Sequence, residues 1–407
     1  MNKILKNKIL VTTFLSLVFF ACNNTDKKID QNNDDLINIV ENDTITIDEP
    51  LIISHDTLLT NLANYIGLTQ IALEYENKHS NNKDFLKLKS ETDINFSTIY
   101  NNRLLEMTKW DISNYIGNSN SSNTLFYPFS GPDFLHVNFL YPNAETYILT
   151  AIEKIGFLPD LLNKSSDFNL KFLQDMNYFM RDIYMRSYFI TKRMEVDLSE
   201  TTMNGLIGSL YWFISRTNHK IISQEFITID ENGIIIPETD KNQGWLLDEY
   251  DGVSFNLLNE ENEIKKLIYF SADISNKGLN KKNPQLKLFL NNLNNVNTFV
   301  KSASYLMHYN SFDNIRNIVL NKSYSLFQDD TGIPIRFFNS DNWVTSLFGN
   351  YIDPIKDFES TMDIITQEDL RSFYLDQTLN KGYLPFSLGY HWRDSKKQNQ
   401  QLLIKKD

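Results

Sequence analysis

The N-terminal segment constrains this 407-residue chain most strongly, because it decides which part of the chain folds and in which compartment. MNKILKNK carries three lysines and no acidic residue, and ILVTTFLSLVFFA follows with thirteen uncharged residues. This pattern is typical of a secretory signal peptide, and its apolar run is too short to span a bilayer. The sequence therefore predicts that residues 1–21 are removed and that the remaining chain folds outside the cytoplasm.

Cys22 is the single cysteine of the chain and directly follows Ala21. An intrachain disulfide is therefore impossible, so an apolar core must stabilise the fold. The stretch VFFAC resembles the lipobox of bacterial lipoproteins. That resemblance implies a diacylglycerol on Cys22 and a further acyl chain such as palmitate, which together anchor a protein stably to a membrane. The alternative is an ordinary signal peptide that is followed by a chance cysteine.

Composition divides the rest of the chain into regions. Residues 22–50 are polar, acidic and free of aromatic side chains, which predicts a disordered tether. A helical region is predicted for 51–123, and the length of the body predicts two α/β subdomains, 124–251 and 252–407. The net charge of −12 argues against nucleic acid as a partner.

Apolar periodicity predicts an α+β fold (mixed α/β) with a mostly antiparallel sheet and two helical blocks. Because the order of strands followed by helices occurs twice, an internal duplication is one hypothesis, and ordinary alternation in a mixed chain is the other. Strands are predicted for FLHVNFLY, TYILTAIEKI, KIISQEFITI, GIIIP, GVSFNLL, KKLIYFSADI, YSLFQ, IPIRFF, WVTSLFG and LPFSLGYHW. Helices are predicted for 58–71, 97–116, 172–184, 203–214, a block at 284–321 and a short segment at 368–376.

Several segments of the body carry a more specific signal than composition does. The stretches FSGPDF, YPNAETYILTAIEKIG, QDDTGIP, LFGNYIDPI and LPFSLGYHW resemble recurring segments of an uncharacterised family of exported bacterial proteins. The resemblance spans about residues 97–393. It implies one domain pair across most of the body, and no catalytic residue or activity can be carried over from it.

Common catalytic and cofactor motifs are absent from the sequence. No two of the six histidines lie within five residues of each other, and the HExxH and paired-cysteine patterns of zinc sites do not occur. The GxxxxGK[ST] phosphate loop and the GxSxG nucleophile elbow do not occur either. We therefore expect no metal and no cofactor.

Asp133 and His136 lie in the most unusual stretch of the chain, FYPFSGPDFLHVNFLYP. Three prolines and a glycine indicate a rigid bend, and an Asp after Pro in such a bend commonly accepts hydrogen bonds from backbone N–H groups. We expect His136 on the first predicted strand. The stretch is interpreted either as a structural corner or as a functional site.

Asp329 and Asp330 lie in QDDTGIP, which contains the Asp-Thr-Gly tripeptide of aspartic proteases. A second copy, which would supply the partner carboxylate, does not occur, so a turn between two strands is the simpler interpretation. If either carboxylate is buried it needs a cationic or hydrogen-bonding partner, for which Arg336 is a candidate, with Arg316 and Arg393 as alternatives.

The sequence favours a membrane-anchored lipoprotein of the bacterial cell envelope that acts in binding or assembly. Its cleft is expected where the SGPD corner meets the QDDTG turn. The alternative is an envelope hydrolase that uses Asp133, His136, Asp329 or Asp330 as acid and base. The ligand, and whether the protein is an enzyme, stay open at this level.

Overall fold

The computed structural model describes residues 53–116, 122–356, 367–394 and 396–406. The predicted signal peptide, the lipidation site Cys22 and the tether lie outside the described residues.

The described strands form one mixed sheet in the order β4-β3-β5-β6-β2-β1-β7-β8-β10-β9. Strand β1 pairs in parallel with β2 and β7, β2 pairs in parallel with β6, and β7 with β8, whereas the outer strands are antiparallel. The strands are β1 Thr124–Pro128, β2 Thr146–Ala151, β3 Lys220–Ile229, β4 Ile235–Pro237, β5 Gly252–Leu258, β6 Ile264–Ser271, β7 Val296–Val300, β8 Ser323–Gln328, β9 Trp343–Phe348 and β10 Gln400–Lys405.

Helices cover both faces of this sheet. The α-helices are α1 Thr57–Gly67, α2 Leu73–Glu76, α3 Lys83–Ile99, α4 Leu105–Trp110, α5 Ser113–Ile116, α6 Phe134–Leu140, α7 Ser166–Phe179, α8 Arg181–Arg186, α9 Thr191–Glu200, α10 Ile207–Arg216, α11 Pro284–Asn292, α12 Asp313–Lys322 and α13 Glu368–Leu375. Of two π-helical turns, Tyr100–Leu104 lies between α3 and α4, and Gly278–Lys282 precedes α11.

The strands place alternate side chains in two separate cores. On β2, Tyr147 and Leu149 pack with α1, α6, α7 and α10, whereas Ile148 packs with α11, α12 and α13 on the opposite face. Successive strand residues point to opposite faces, so a strand that is covered on both sides is apolar throughout. This explains why TYILTA shows no polar alternation.

The predicted α+β class is confirmed, but the expectation of a mostly antiparallel sheet is wrong. Five central strands are parallel because helices connect them: α6 lies between β1 and β2, α11 between β6 and β7, and α12 between β7 and β8. The strands of both predicted subdomains lie in this one sheet, within a compact unit that spans Ile52–Asp407. The subdomain boundary and the internal duplication stay predictions.

The segment FLHVNFLY was predicted as a strand and is instead helix α6. Asp133 is its N-cap, because its carboxylate accepts a hydrogen bond from the His136 N–H. Phe134, Leu135, Val137 and Leu140 are all buried. A short apolar run that is buried on all sides has no periodicity that separates helix from strand.

Three other assignments differ from the sequence expectations. The helical block at 284–321 is interrupted by β7, whose apolar residues also fit helical spacing. IPIRFF and LPFSLGYHW contain the 3₁₀ turns Ile335–Phe337 and Gly389–His391 where strands were predicted. Strands β1 and β10 were not predicted at all. Among the described residues, no helix is both long and apolar enough to cross a membrane.

Gly156 and Gly205 allow two chain segments to pass each other in direct backbone contact. One segment follows β2, and the other directly precedes α10. A Cβ atom on Gly156 would lie 1.3 Å from the carbonyl oxygen of Asn204, and one on Gly205 would lie 2.4 Å from that of Ile155. Both glycines have positive φ angles, 67° and 89°. The Phe157 N–H donates to the Asn204 carbonyl at 2.8 Å, so the crossing is also hydrogen-bonded.

We expect Gly156→Ala to lower the free energy of unfolding by about 3 kcal/mol or more, since the added methyl group collides with backbone that cannot rotate away. Gly382→Ala is the matched control, because Gly382 also has a positive φ, 91°, but has nothing within 4 Å of an added Cβ. The control should lose only the left-handed backbone penalty of about 1–2 kcal/mol. If chemical denaturation shows that Gly156→Ala and Gly382→Ala lower the free energy of unfolding equally, the close backbone contact at Gly156 is contradicted.

Candidate functional site

The carboxyl ends of the five parallel strands lie along one edge of the sheet. These ends are Pro128 of β1, Ala151 of β2, Ser271 of β6, Val300 of β7 and Gln328 of β8. The segments that leave them therefore converge, although they are far apart in the sequence.

The direction of chain connection reverses between β1 and β7. The chain leaves β1 towards β2 through α6 on one face, and it leaves β7 towards β8 through α12 on the other face. In open α/β sheets such a switch point opens a crevice outside the carboxyl ends of the two strands, and ligands bind there preferentially. This topology marks the exits of β1 and β7 as the candidate site.

Asp133 and Lys301 form a buried ion pair at this switch point. Asp133 follows β1, Lys301 directly follows β7, and the two residues are 1% and 3% exposed. The Lys301 ammonium lies 2.6 Å from Asp133 Oδ2 and also donates to the carbonyl oxygen of Ser187. The pair therefore joins the exits of both strands to the turn that follows α8.

Each member of this pair favours the charged form of the other. Burial alone would raise the pKa of Asp133, but its contacts with His136 and Lys301 outweigh burial and hold that pKa below the ordinary value. Burial lowers the pKa of Lys301, and Asp133 opposes this shift. Removing one member of such a pair leaves an uncompensated buried charge, which is strongly destabilising.

His136 completes the cluster as a neutral side chain. Its Nδ1 lies 2.8 Å from Asp133 Oδ1, and because an ionised carboxylate only accepts hydrogen bonds, Nδ1 carries the proton. Burial lowers the pKa of His136 to about 4, although Asp133 favours its charged form. Its Nε2 is buried and has no hydrogen-bond partner among the described residues. His136 is therefore neutral at pH 7.

Asp329 forms the turn that was predicted for QDDTG. The Gly332 N–H donates to the Asp329 carbonyl, and the carboxylate accepts from the Ser302 N–H at 2.9 Å and the Thr331 N–H at 3.0 Å. Burial and the neighbouring Asp330 raise the pKa of Asp329 to about 6. Backbone donors, and not an arginine, thus supply the partner that a buried Asp329 requires.

Asp330 faces the opposite side of this turn. Its Oδ2 accepts a hydrogen bond from the Tyr305 hydroxyl at 2.7 Å, and its Oδ1 lies 3.7 Å from His391 Nε2. The second distance is that of an ion pair and is too long for a hydrogen bond. Burial lowers the pKa of His391, but Asp330 outweighs burial, so the pKa is raised overall.

Arg336 does not join the carboxylates for which it was proposed. Its guanidinium lies 3.3 Å from Asp369 at the surface. Of the alternatives, Arg316 pairs with Asp313, and the Arg393 guanidinium lies over the Trp392 ring. The cation that the site does contain is Lys301, which pairs with Asp133 and which the sequence analysis did not consider.

Residues 301–305, here named the β7 exit segment, connect the two predicted sites. Lys301 binds Asp133, Ser302 binds Asp329 and Tyr305 binds Asp330. Ser302, Ser304 and Tyr305 have positive φ angles of 53°, 51° and 56°, which are rare for residues other than glycine. Backbone strain of this kind persists where surrounding contacts impose it, and it concentrates at functional sites.

A cavity of about 690 Å³ opens above the exits of β1, β2, β6 and β7, and we call it the carboxyl-edge cavity. Asp133 and Lys301 lie at its floor, and Glu153 lies at the exit of β2. Most of its wall is apolar or aromatic. Its aromatic lining consists of Tyr127, Phe129, Tyr188, Phe189, Phe312 and Tyr390.

Glu153 is the carboxylate of the cavity lining whose pKa is raised towards neutrality. It is 9% exposed, and its Oε2 has no hydrogen-bond partner among the described residues. Burial raises the pKa of Glu153 to about 7, although its own backbone N–H opposes the shift. The other two carboxylates that line the cavity, Asp133 and Asp273, have lowered pKa values.

Lys301 and Glu153 were missed by sequence reasoning for identifiable reasons. Lys301 follows TFV, which was assigned to a helical block. Glu153 lies just beyond the end of β2, but the predicted strand TYILTAIEKI included it. The signal that could have found both residues is a charged side chain within two positions of the end of an apolar strand. In a parallel sheet such residues meet at one edge. Within the described residues, no group of three or more His, Cys, Asp or Glu side chains could hold a metal ion.

We expect Lys301→Met to lower the free energy of unfolding by about 3–5 kcal/mol, because Asp133 then remains buried without a counter-charge. The double variant Asp133→Asn/Lys301→Met should recover a large part of this loss, since asparagine can still cap α6. Lys109→Met is the control: Lys109 pairs with Glu106 at a similar distance, 2.7 Å, but at the surface. It should lose less than about 1 kcal/mol, and a Lys301→Met loss no larger than this would contradict the assignment.

Comparisons of this chain with protein-family models, with curated proteins and with solved structures found no match. The function must therefore be argued from the residues of the site.

Proposed function

We propose that the protein is a lipoprotein of the bacterial cell envelope whose folded body binds a small, largely apolar molecule in the carboxyl-edge cavity. The observation that carries the proposal is the position of this cavity at the switch point between β1 and β7. The proposed site is formed by the β7 exit segment and the SGPD corner, with the QDDTG turn behind that segment.

The size and lining of the cavity support small-molecule binding. Ligand pockets commonly enclose roughly 300–1,000 Å³ and combine apolar walls with a few fixed polar groups. The carboxyl-edge cavity of about 690 Å³ has this composition, with the Asp133–Lys301 pair and Glu153 as its fixed charged groups. Because the paired side chains are held by several bonds, the floor of the cavity is pre-organised.

Hydrolysis is the second candidate function, and one observation favours it. Glu153 lines the cavity with a pKa near 7, which suits a general base at neutral pH. Asp133 stays ionised against Lys301, and the Asp329 oxygens are occupied by backbone N–H groups and Thr331. The Ser130 hydroxyl donates to the Gly131 carbonyl and contacts no general base among the described residues. Binding is therefore the better supported function.

Membrane attachment rests on the sequence alone, because Cys22 and the tether lie outside the described residues. The tether would let the body reach ligands at a distance from the membrane surface. An anchored binding protein of this kind is consistent with the acidic charge of the chain, which argues against direct adhesion to anionic lipid headgroups.

We expect Cys22→Ser to move the protein from the membrane fraction to the soluble fraction, since the variant has no thiol to acylate. Metabolic labelling with a radioactive fatty acid should be lost at the same time. Asn23→Ser is the control, because it changes the neighbouring residue and retains the thiol. Full membrane retention of Cys22→Ser would contradict lipid anchoring.

The lone cysteine also allows the cavity to be blocked at one site. In the mature chain with Cys22→Ser, Ile152→Cys can be labelled with a bulky maleimide, since Ile152 is 65% exposed and lines the cavity. We expect labelling to weaken the binding of the neutral fluorescent probe N-phenyl-1-naphthylamine at least tenfold. Ile234→Cys is the control, because Ile234 is 58% exposed and lies in the turn between β3 and β4. Equal probe affinity before and after labelling at position 152 would exclude this cavity as the binding site.

A further inference from the structure

A second cavity of about 810 Å³ adjoins the carboxyl-edge cavity. Ile152, Glu153 and Thr191 line both cavities, so these residues mark the place where the two meet. Helix α9 contributes its first residues to the carboxyl-edge cavity and later residues to the second one. Together the two cavities can hold an elongated molecule that passes Glu153.

Glu153 lies at this junction with unused hydrogen-bonding capacity. Its carboxyl oxygen Oε2 is buried and has no partner among the described residues, although its backbone carbonyl accepts a hydrogen bond from Tyr269 at 2.7 Å. A buried polar atom without a partner costs free energy, so a ligand that supplies a donor or a positive charge gains this contact without having to displace a protein partner.

The aromatic lining suits the apolar part of such a ligand. The rings of Tyr188 and Tyr390 meet edge to face with centroids 4.9 Å apart, and those of Phe129 and Phe312 do so at 5.9 Å. Aromatic side chains offer a large apolar surface against which an alkyl chain can pack, whereas the partnerless carboxylate oxygen of Glu153 favours a positively charged head group. Aromatic walls and a carboxylate together make the site suited to an amine.

Two lysines that line the same cavities as Glu153 are paired with other carboxylates. On its own strand exit, Lys154 lies 3.1 Å from Glu249, and Lys301 at the exit of β7 is bound to Asp133. The remaining charged and titratable groups that line these cavities or contact Glu153 are Lys192 and Glu195 on α9, Asp273 after β6, which pairs with Lys282, and the Tyr269 hydroxyl.

We propose that the two cavities form one cleft for an elongated organic cation, with its ammonium group at Glu153 and its apolar part among the aromatic side chains of the carboxyl-edge cavity. This inference rests on the proposed binding function and specifies the class of its ligand. Glu153 is the specificity residue, because it separates a cation from a neutral molecule of the same shape.

Binding of such a cation is linked to pH. Burial raises the pKa of Glu153 to about 7, so the free carboxyl group is protonated below this pH and must release its proton when the cation binds. The affinity for a cation of fixed charge should therefore fall up to about tenfold for each pH unit below 7 and stay constant well above it. A neutral ligand of the same length should show no such dependence.

Calorimetric titration of the mature Cys22→Ser chain with octyltrimethylammonium and with 1-octanol tests the inference, both below their aggregation concentrations. We expect the cation to bind at least tenfold more tightly at pH 8. Glu153→Gln should remove this preference and its pH dependence, while its affinity for 1-octanol stays unchanged and shows that the cavity is intact. Glu225→Gln, an exposed site on β3, is the control and should retain the preference.

The outcomes separate this inference from the proposed function. If 1-octanol binds as tightly as the cation, or if Glu153→Gln keeps the preference for the cation, the assignment of an organic cation is wrong and the binding cavity stands. If neither compound binds, and the neutral naphthylamine probe does not bind either, the proposed function itself fails and the inference fails with it.

Discussion

The buried ion pair between Asp133 and Lys301 is the interaction on which the site depends. Two charges that are far apart in the sequence lie 2.6 Å apart in the interior, where each would be unstable without the other. Asp133 also caps α6, and Lys301 also binds the turn at Ser187, so the pair fixes four segments at one point. Because such a pair often contributes little net stability, we infer that its main role is to fix the arrangement of the strand exits around it.

The geometry of the cavity follows from this arrangement. The β7 exit segment, which begins at Lys301, turns sharply, with positive φ angles at Ser302, Ser304 and Tyr305. The turn directs the Ser302 N–H to Asp329, which satisfies a second buried carboxylate without an arginine. Three positive-φ positions and two buried carboxylates thus lie together at the edge of the sheet where topology places a crevice.

The sequence predicted those elements whose apolar pattern has a single interpretation. Strands such as Gly252–Leu258 and long amphipathic helices such as Ser166–Phe179 were found from periodicity. Helix α6 was assigned wrongly because a short run that is buried on every side carries no period, and strand β7 was assigned wrongly because its apolar residues also fit helical spacing. These errors hid the parallel centre of the sheet. Asp133 and His136 were recognised as unusual, but their partner Lys301 lies 168 residues from Asp133, and only the folded topology brings it there.

We propose the carboxyl edge of the sheet as a ligand site with Glu153 at its centre. A crystal structure of the protein with octyltrimethylammonium tests this most directly. We predict the ammonium group within about 4 Å of the Glu153 carboxylate and the alkyl chain among the aromatic side chains of the carboxyl-edge cavity. A cation bound outside both cavities, at a concentration that saturates the protein in solution, would contradict it.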